Sequence, residues 1–161
     1  MEVMVLAELD PLIQQKKLVV RIEANQPIGR IHTDPQLMKI VWQNLIANSI
    51  YYTPNGRRIT ISLKKDRSTL SCSVADKGIG IPKHQQSNIF KKMFRADNAI
   101  TMQTDGTGLG LYISKSIIEK SGGKIWFEST EGKGTVFHFV LPRTKKIHRS
   151  GSSPLIAERP H

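Results

Sequence analysis

A single cysteine, Cys72, stands in 161 residues, so no intramolecular disulfide can staple this chain. No apolar run approaches the roughly 20 residues needed to cross a bilayer. The opening Met1-Glu2-Val3-Met4-Val5 also lacks the basic region and cleavage site of an export signal. The expectation is a soluble chain from a reducing, cytoplasmic compartment, with Cys72 a small buried residue alternating with Leu70 and Val74. The five histidines show no metal-ligand spacing, and no Ser/His/Asp pattern emerges, which argues against hydrolysis by a triad. Nor is there a Gly-Lys-Ser/Thr with the upstream glycine of a P-loop. Acidic residues are in the minority, 13 against 24 Lys and Arg, for a net charge of +11. Residues 143 to 161 carry +4 of that charge and the rest is scattered without a stripe, so nucleic acid is not the expected partner.

What is present fits one compact domain. With 39% apolar residues, a chain of this length supports a single core, placed at residues 1 to 142. The basic stretch 143 to 161, with its Arg149-Ser150-Gly151-Ser152-Ser153-Pro154 run, is too polar to order itself. Val5, Leu9, Leu12 and Ile13 recur at helical spacing over residues 3 to 17, where Pro11 should bend or restart the helix. Alternation at Leu18, Val20 and Ile22, a turn at Asn25-Gln26-Pro27 and a second run reaching Thr33 suggest an antiparallel pair. Asp34 caps the next helix and Pro35 begins it, because an Asp accepts backbone N–H bonds there and Pro loses none. That helix should reach Tyr51. Strands follow at Ile59 to Leu63 and Leu70 to Val74, then a short helix opened by Pro82. Residues 96 to 106 read as a mobile connection. Leu109, Ile113 and Ile117 line one face of a helix stopped by Ser121-Gly122-Gly123, and residues 124 to 129 and 135 to 141 close the chain as strands. Strand pairs separated by helices predict a two-layer α/β sandwich with a mixed, mostly antiparallel sheet of about five strands and three main helices.

Four clusters carry chemistry. On the 35 to 51 helix, Leu37, Ile40, Val41 and Leu45 form a stripe, and Asn44 and Asn48 fall inside it. Inward amides need a polar network or a ligand. A network tying helix to sheet is one reading, and an oxygen ligand for Mg²⁺ is the one preferred here because of the other clusters. Asp76 continues the inward parity of Leu70, Cys72 and Val74 and wants a donor, either the exocyclic amine of adenine, with Gly78 and Gly80 allowing close backbone approach to a flat ring, or only its own Asp-Lys-Gly turn, which its side chain can cap. Phe90 and Phe94, four apart, are a hydrophobic anchor that hinges residues 96 to 106 as a lid. Arg95 either meets the γ-phosphate or faces water. Gly106-Thr107-Gly108-Leu109-Gly110-Leu111 opens a helix whose exposed N–H groups suit phosphate, with glycines too closely spaced for a dinucleotide fingerprint.

In this order the clusters resemble the ATP-binding catalytic domain of sensor histidine kinases, within the wider family of gyrase, Hsp90 and MutL ATPases and their Bergerat fold. Asn44 to Pro54 is similar to the family's N box, Asp76 to Pro82 to its G1 box, Ile89 to Arg95 to its F box, Gly106 to Leu111 to its G2 box, and Gly132 to Thr135 to a last glycine motif. The resemblance implies Mg²⁺ on Asn48 with Asn44 beside it, adenine on Asp76, and phosphates on the second glycine cluster under a lid. It implies catalytic parts for Asn44, Asn48 and Arg95, and nucleotide contacts that also draw on Tyr51, Tyr52, Ile81 and Thr135. It further implies a dimeric helical hairpin as phosphoacceptor and a response regulator downstream. Two departures stand out. Tyr51 occupies a position where many such kinases carry a phosphate-contacting Lys. None of His32, His84, His138, His148 or His161 precedes an acidic residue as a phosphoacceptor does. The expectation is therefore a monomeric catalytic half acting on an acceptor elsewhere, whose parent receptor could be membrane-anchored. Related hydrolases place a Glu at the first N-box position, where this chain has Asn44, so transfer is favoured over hydrolysis. Serine phosphorylation or inactive nucleotide sensing are the other readings.

Overall fold

A computed structural model describes residues 2–27, 33–102 and 106–143. Helix α1 (Glu2–Gln15) leads into β1 (Val19–Ala24), α2 (Pro35–Tyr52), β2 (Arg58–Lys65) and β3 (Thr69–Asp76). A 3₁₀ helix (Lys83–Asn88), α3 (Asp97–Met102), α4 (Gly110–Lys120), β4 (Lys124–Thr130) and β5 (Gly134–Pro142) complete it. The five strands form one sheet in the order β1-β2-β3-β5-β4, with β1 parallel to β2 and every other neighbour antiparallel. Helix α1 packs on α2, α2 on α4, and α2 and α4 lie on the sheet. The expected two-layer sandwich is the observed one.

Strand alternation builds the core. Ile59, Ile61 and Leu63 of β2 and Leu70, Cys72 and Val74 of β3 are buried and in register, Cys72 facing Leu63 on one side and Phe139 on the other. Trp42 of α2 meets Phe139 edge-on at 5.1 Å between ring centroids, which locks the pocket helix to the middle of the sheet. Burying a Phe side chain contributes about 2–3 kcal/mol, and Phe139→Ala, by opening a cavity as well, would cost about 3–5 kcal/mol. Asp34 caps α2 as expected, its Oδ1 accepting the N–H groups of Gln36 (2.8 Å) and Leu37 (3.3 Å).

Several expectations are corrected. β1 pairs in parallel with β2, because α2 crosses between them and returns the chain in the same direction. Residues 28 to 32, most of the second run expected there, lie outside the described residues. Helix α1 runs through Pro11 unbroken. The buried stripe of α2 is Met38, Val41, Trp42, Leu45, Ile46, Ser49 and Ile50, whereas Leu37 and Ile40 are exposed. The stripe therefore centres on the sheet side, and Asn44 and Asn48 sit half-buried at its border. On α4 the buried residues are Ser114, Ile117 and Ile118, and Ile113 faces outward. The supposed connection after residue 96 contains helix α3, with residues 103 to 105 outside the described ones. Arg143, assigned above to the tail, is anchored. Its N–H donates to the Ser68 carbonyl at 2.8 Å and its Nη1 to the Asp66 carbonyl at 2.7 Å. The rest of the tail, 144 to 161, lies outside the described residues.

Candidate functional site

The parity of β3 delivers Asp76 to the inner face at the strand end, where it is 8% exposed. Its Oδ1 accepts the N–H groups of Gly78 (2.8 Å) and Thr135 (3.1 Å), while Oδ2 has one long contact, 3.5 Å from the Ser49 hydroxyl. The carboxylate is thus fixed firmly through Oδ1 and only weakly held at Oδ2. Burial pushes its pKa up to about 6, against the lowering pull of Gly78, Thr135, Ser49 and Lys77. Beside it lies a cavity walled by Asn48, Tyr52, Asp76, Ile79, Gly80, Ile81, Asn98, Thr135 and Phe137, among others. Its walls suit a flat ring: apolar faces with a single inward carboxylate. Gly80, at φ +65°, presses against the Thr130 carbonyl so closely that a Cβ could not fit.

A second, more open groove shares Asn48, Tyr52, Ile89, Ala96, Ala99 and Leu111 with the first. Its walls add Asn44, Tyr51, Phe94, Arg95, Gly106, Thr107, Gly108 and Gly110. Leu109 stands at the cap of α4 without a side-chain cap bond, leaving the N–H groups of the first turn open toward the groove. That is a place for anionic oxygens. Gly108, at φ +69°, lets the loop pass Met93, whose N–H bonds to the Gly108 carbonyl at 3.0 Å.

The two amides divide their work. Asn44 Nδ2 donates to the Gly110 carbonyl (3.0 Å) and the Ser114 hydroxyl (3.1 Å), so it ties α2 to α4 rather than to the sheet. The side chain of Asn48, on the wall common to both cavities, makes no hydrogen bond to any described residue. No group of three or more His, Cys, Asp or Glu side chains able to hold a metal occurs among the described residues. A lone amide oxygen fits Mg²⁺ bound mainly by phosphates and water, which needs few protein ligands.

Arg95 lines the groove, donates to the Ala99 carbonyl at 3.3 Å and packs against Gly106; it does not simply face water. Phe90 sits behind the cavity, its ring 5.8 Å from that of Phe127 and 6.5 Å from that of Phe137, as an anchor should. It lines neither cavity, and neither do Gly78 and Leu109. Sequence reasoning missed Ser49, whose signal was a hydroxyl inside the buried stripe of α2, and Asn98, on a helix too short to show periodicity. It also missed Lys16, whose Nζ donates to the carbonyls of Ile50 (2.6 Å) and Tyr51 (2.9 Å) and so closes the end of the pocket helix.

The profile of the histidine kinase-, DNA gyrase B-, and HSP90-like ATPase family matches residues 33–145. The chain is 40% identical over 138 residues to the sensor histidine kinase WalK of Bacillus subtilis (strain 168), an alignment covering 83% of this chain and 23% of that kinase. It therefore spans about a quarter of that relative. Among solved structures, the nucleotide-free catalytic domain of histidine kinase ThkA superposes with a TM-score of 0.77 at 30% identity, covering 88% of this chain and 91% of that one. ThkA in complex with the response regulator TrrA gives a TM-score of 0.72 at 29% identity, covering 87% of this chain and 38% of that one.

Proposed function

Because the chain belongs to the histidine kinase-, DNA gyrase B- and HSP90-like ATPase family, we propose that it is the ATP-binding catalytic domain of a two-component sensor histidine kinase. Residues 1–142, with Arg143, form that domain. It passes the γ-phosphoryl group of ATP to a histidine on a separate helical dimerisation hairpin, for relay to a response regulator in the cytoplasm. One observation carries the reading: a buried carboxylate, one oxygen held by two backbone N–H groups and the other only by a long Ser49 contact, stands in a mostly apolar cavity that continues into a groove ended by a glycine-rich helix start without a side-chain cap. Adenine at one end and phosphates at the other match that layout.

Asp76 would take the adenine amine, Tyr52, Ile81 and Thr135 would flank the base, and the N–H groups around Gly110 and Leu111 would receive the phosphates. Arg95 would add positive charge near the γ-phosphate, where Tyr51 supplies none. Asn48 would hold Mg²⁺, and the chemistry that ion supplies when bound is neutralisation of charge on the phosphate oxygens. The chain's own part is to position ATP and shield its charge, since phosphoryl transfer asks little covalent chemistry of the protein. Asn44 supports transfer over hydrolysis: it is an amide already donating to Gly110 and Ser114, and an amide is no base for an attacking water. The complex of ThkA with TrrA supports a response regulator as the downstream partner. No helix among the described residues is long and apolar enough to cross a membrane.

Incubation with γ-labelled ATP and a histidine-bearing helical hairpin tests the proposal. Acid-labile label on the hairpin is the expected result. Free phosphate alone would mark a hydrolase, and binding without turnover a nucleotide sensor.

A further inference from the structure

We propose that Asn98 reads the base: its side-chain carbonyl accepts one N–H of the adenine 6-amino group while Asp76 accepts the other. The inference rests on the ATP reading above and adds a residue that the sequence motifs do not single out. Asn98 Nδ2 donates to the Gly80 carbonyl at 3.0 Å. Only the amide's NH₂ can meet a carbonyl, so this bond fixes which way the side chain points. Its Oδ1 is then left buried without a hydrogen-bond partner among the described residues. Buried acceptors of this kind are uncommon and call for a donor.

The location says which donor. Asn98 lines the cavity that also holds Asp76, Gly80 and Thr135, and it is absent from the groove walled by Asn44, Arg95 and Gly106. It therefore belongs to the base end. On adenine the exocyclic amine is the only N–H donor left once the ring is attached to ribose, and it carries two hydrogens. Guanine presents a carbonyl at the same ring position, and two acceptors facing it would repel it.

The placement of Asn98 is held from outside the cavity. Gln85 Nε2 donates to Asp97 Oδ2 at 2.6 Å, and the Asp97 N–H donates to Gln85 Oε1 at 3.0 Å. This reciprocal pair clamps the first turn of α3 to the 3₁₀ helix. The lid segment thus starts from a fixed point, and Asn98 is the side chain next to that point.

Titration calorimetry with Mg²⁺ on the wild-type chain and Asn98→Ala, using ATP, 2′-deoxy-ATP and purine riboside triphosphate, tests the proposal. Asn98→Ala should weaken ATP and 2′-deoxy-ATP by about tenfold each, the size of one lost hydrogen bond. It should leave purine riboside triphosphate, which lacks the amine, within about twofold. Equal weakening of all three would reduce Asn98 to a tie on Gly80 and overturn the proposal, as would no change in any. Loss with ATP but not with 2′-deoxy-ATP would reassign the contact to ribose and overturn it too. Wild-type protein that bound none of the three would instead sink the ATP reading itself.

Discussion

Thr135 of β5 donates its backbone N–H to Asp76 Oδ1 at 3.1 Å, joining two strand ends that are 59 residues apart in sequence. With the Gly78 N–H on the same oxygen, it leaves the other oxygen of the carboxylate with only the 3.5 Å contact to the Ser49 hydroxyl. Asp76→Ala should therefore abolish nucleotide binding in calorimetry and leave the circular dichroism spectrum of the fold unchanged. Unchanged affinity would remove Asp76 from the site.

The same carboxylate makes binding and stability respond oppositely to acid. Its pKa stands at about 6 when folded against 3.8 for an ordinary Asp. Between those values the folded chain holds a proton that the unfolded chain has released, so this group's contribution to stability rises as pH falls through the window and is lost above it. Asp76→Asn should thus be more stable than wild type at pH 7, by up to about 3 kcal/mol, with the gap closing toward pH 4 in urea melts. Nucleotide affinity should instead fall as pH drops below about 6, because a protonated acid is a poorer acceptor for the amine. A gap that widens in acid would contradict the sign.

Asn48→Ala should abolish the Mg²⁺-dependent part of ATP binding without loss of helix content. Chelation of Mg²⁺ should weaken the wild type to the level of the variant and leave the variant unaffected. If chelation weakens both equally, the ion sits on some other group.

Lys16→Ala should lower stability by about 1–2 kcal/mol, since it strips a charged donor from the carbonyls of Ile50 and Tyr51. Because those carbonyls belong to the last turn of the pocket helix, ATP affinity should fall as well. Unfolding and binding titrations on one preparation would show both, and a stability loss with unaltered affinity would confine Lys16 to the fold.

Local signals carried much of this in the sequence. Asp34-Pro35 announced the start of α2 because capping is settled within three residues, and the inward parity of Asp76 followed from strand alternation alone. What depended on distant partners was not legible. The parallel pairing of β1 comes from α2 crossing to β2, and the exposure of Leu37 and Ile40 from where the sheet and α1 meet that helix. Asn44 is a particular case: an inward amide was foreseen, but its partners Gly110 and Ser114 lie on a helix whose docking no local pattern states. Asn98 escaped because a six-residue helix gives no period to read.

The central claim is that the inward polar groups around Asp76, Asn48 and the start of α4 exist to meet Mg-ATP. A crystal of the chain soaked with Mg²⁺ and a non-hydrolysable ATP analogue tests it directly. The adenine amine should lie within hydrogen-bond distance of Asp76, the metal against Asn48, and the phosphates at the N–H groups of Gly110 and Leu111. A cavity closed by the protein's own side chains, or an analogue bound anywhere else, would contradict it.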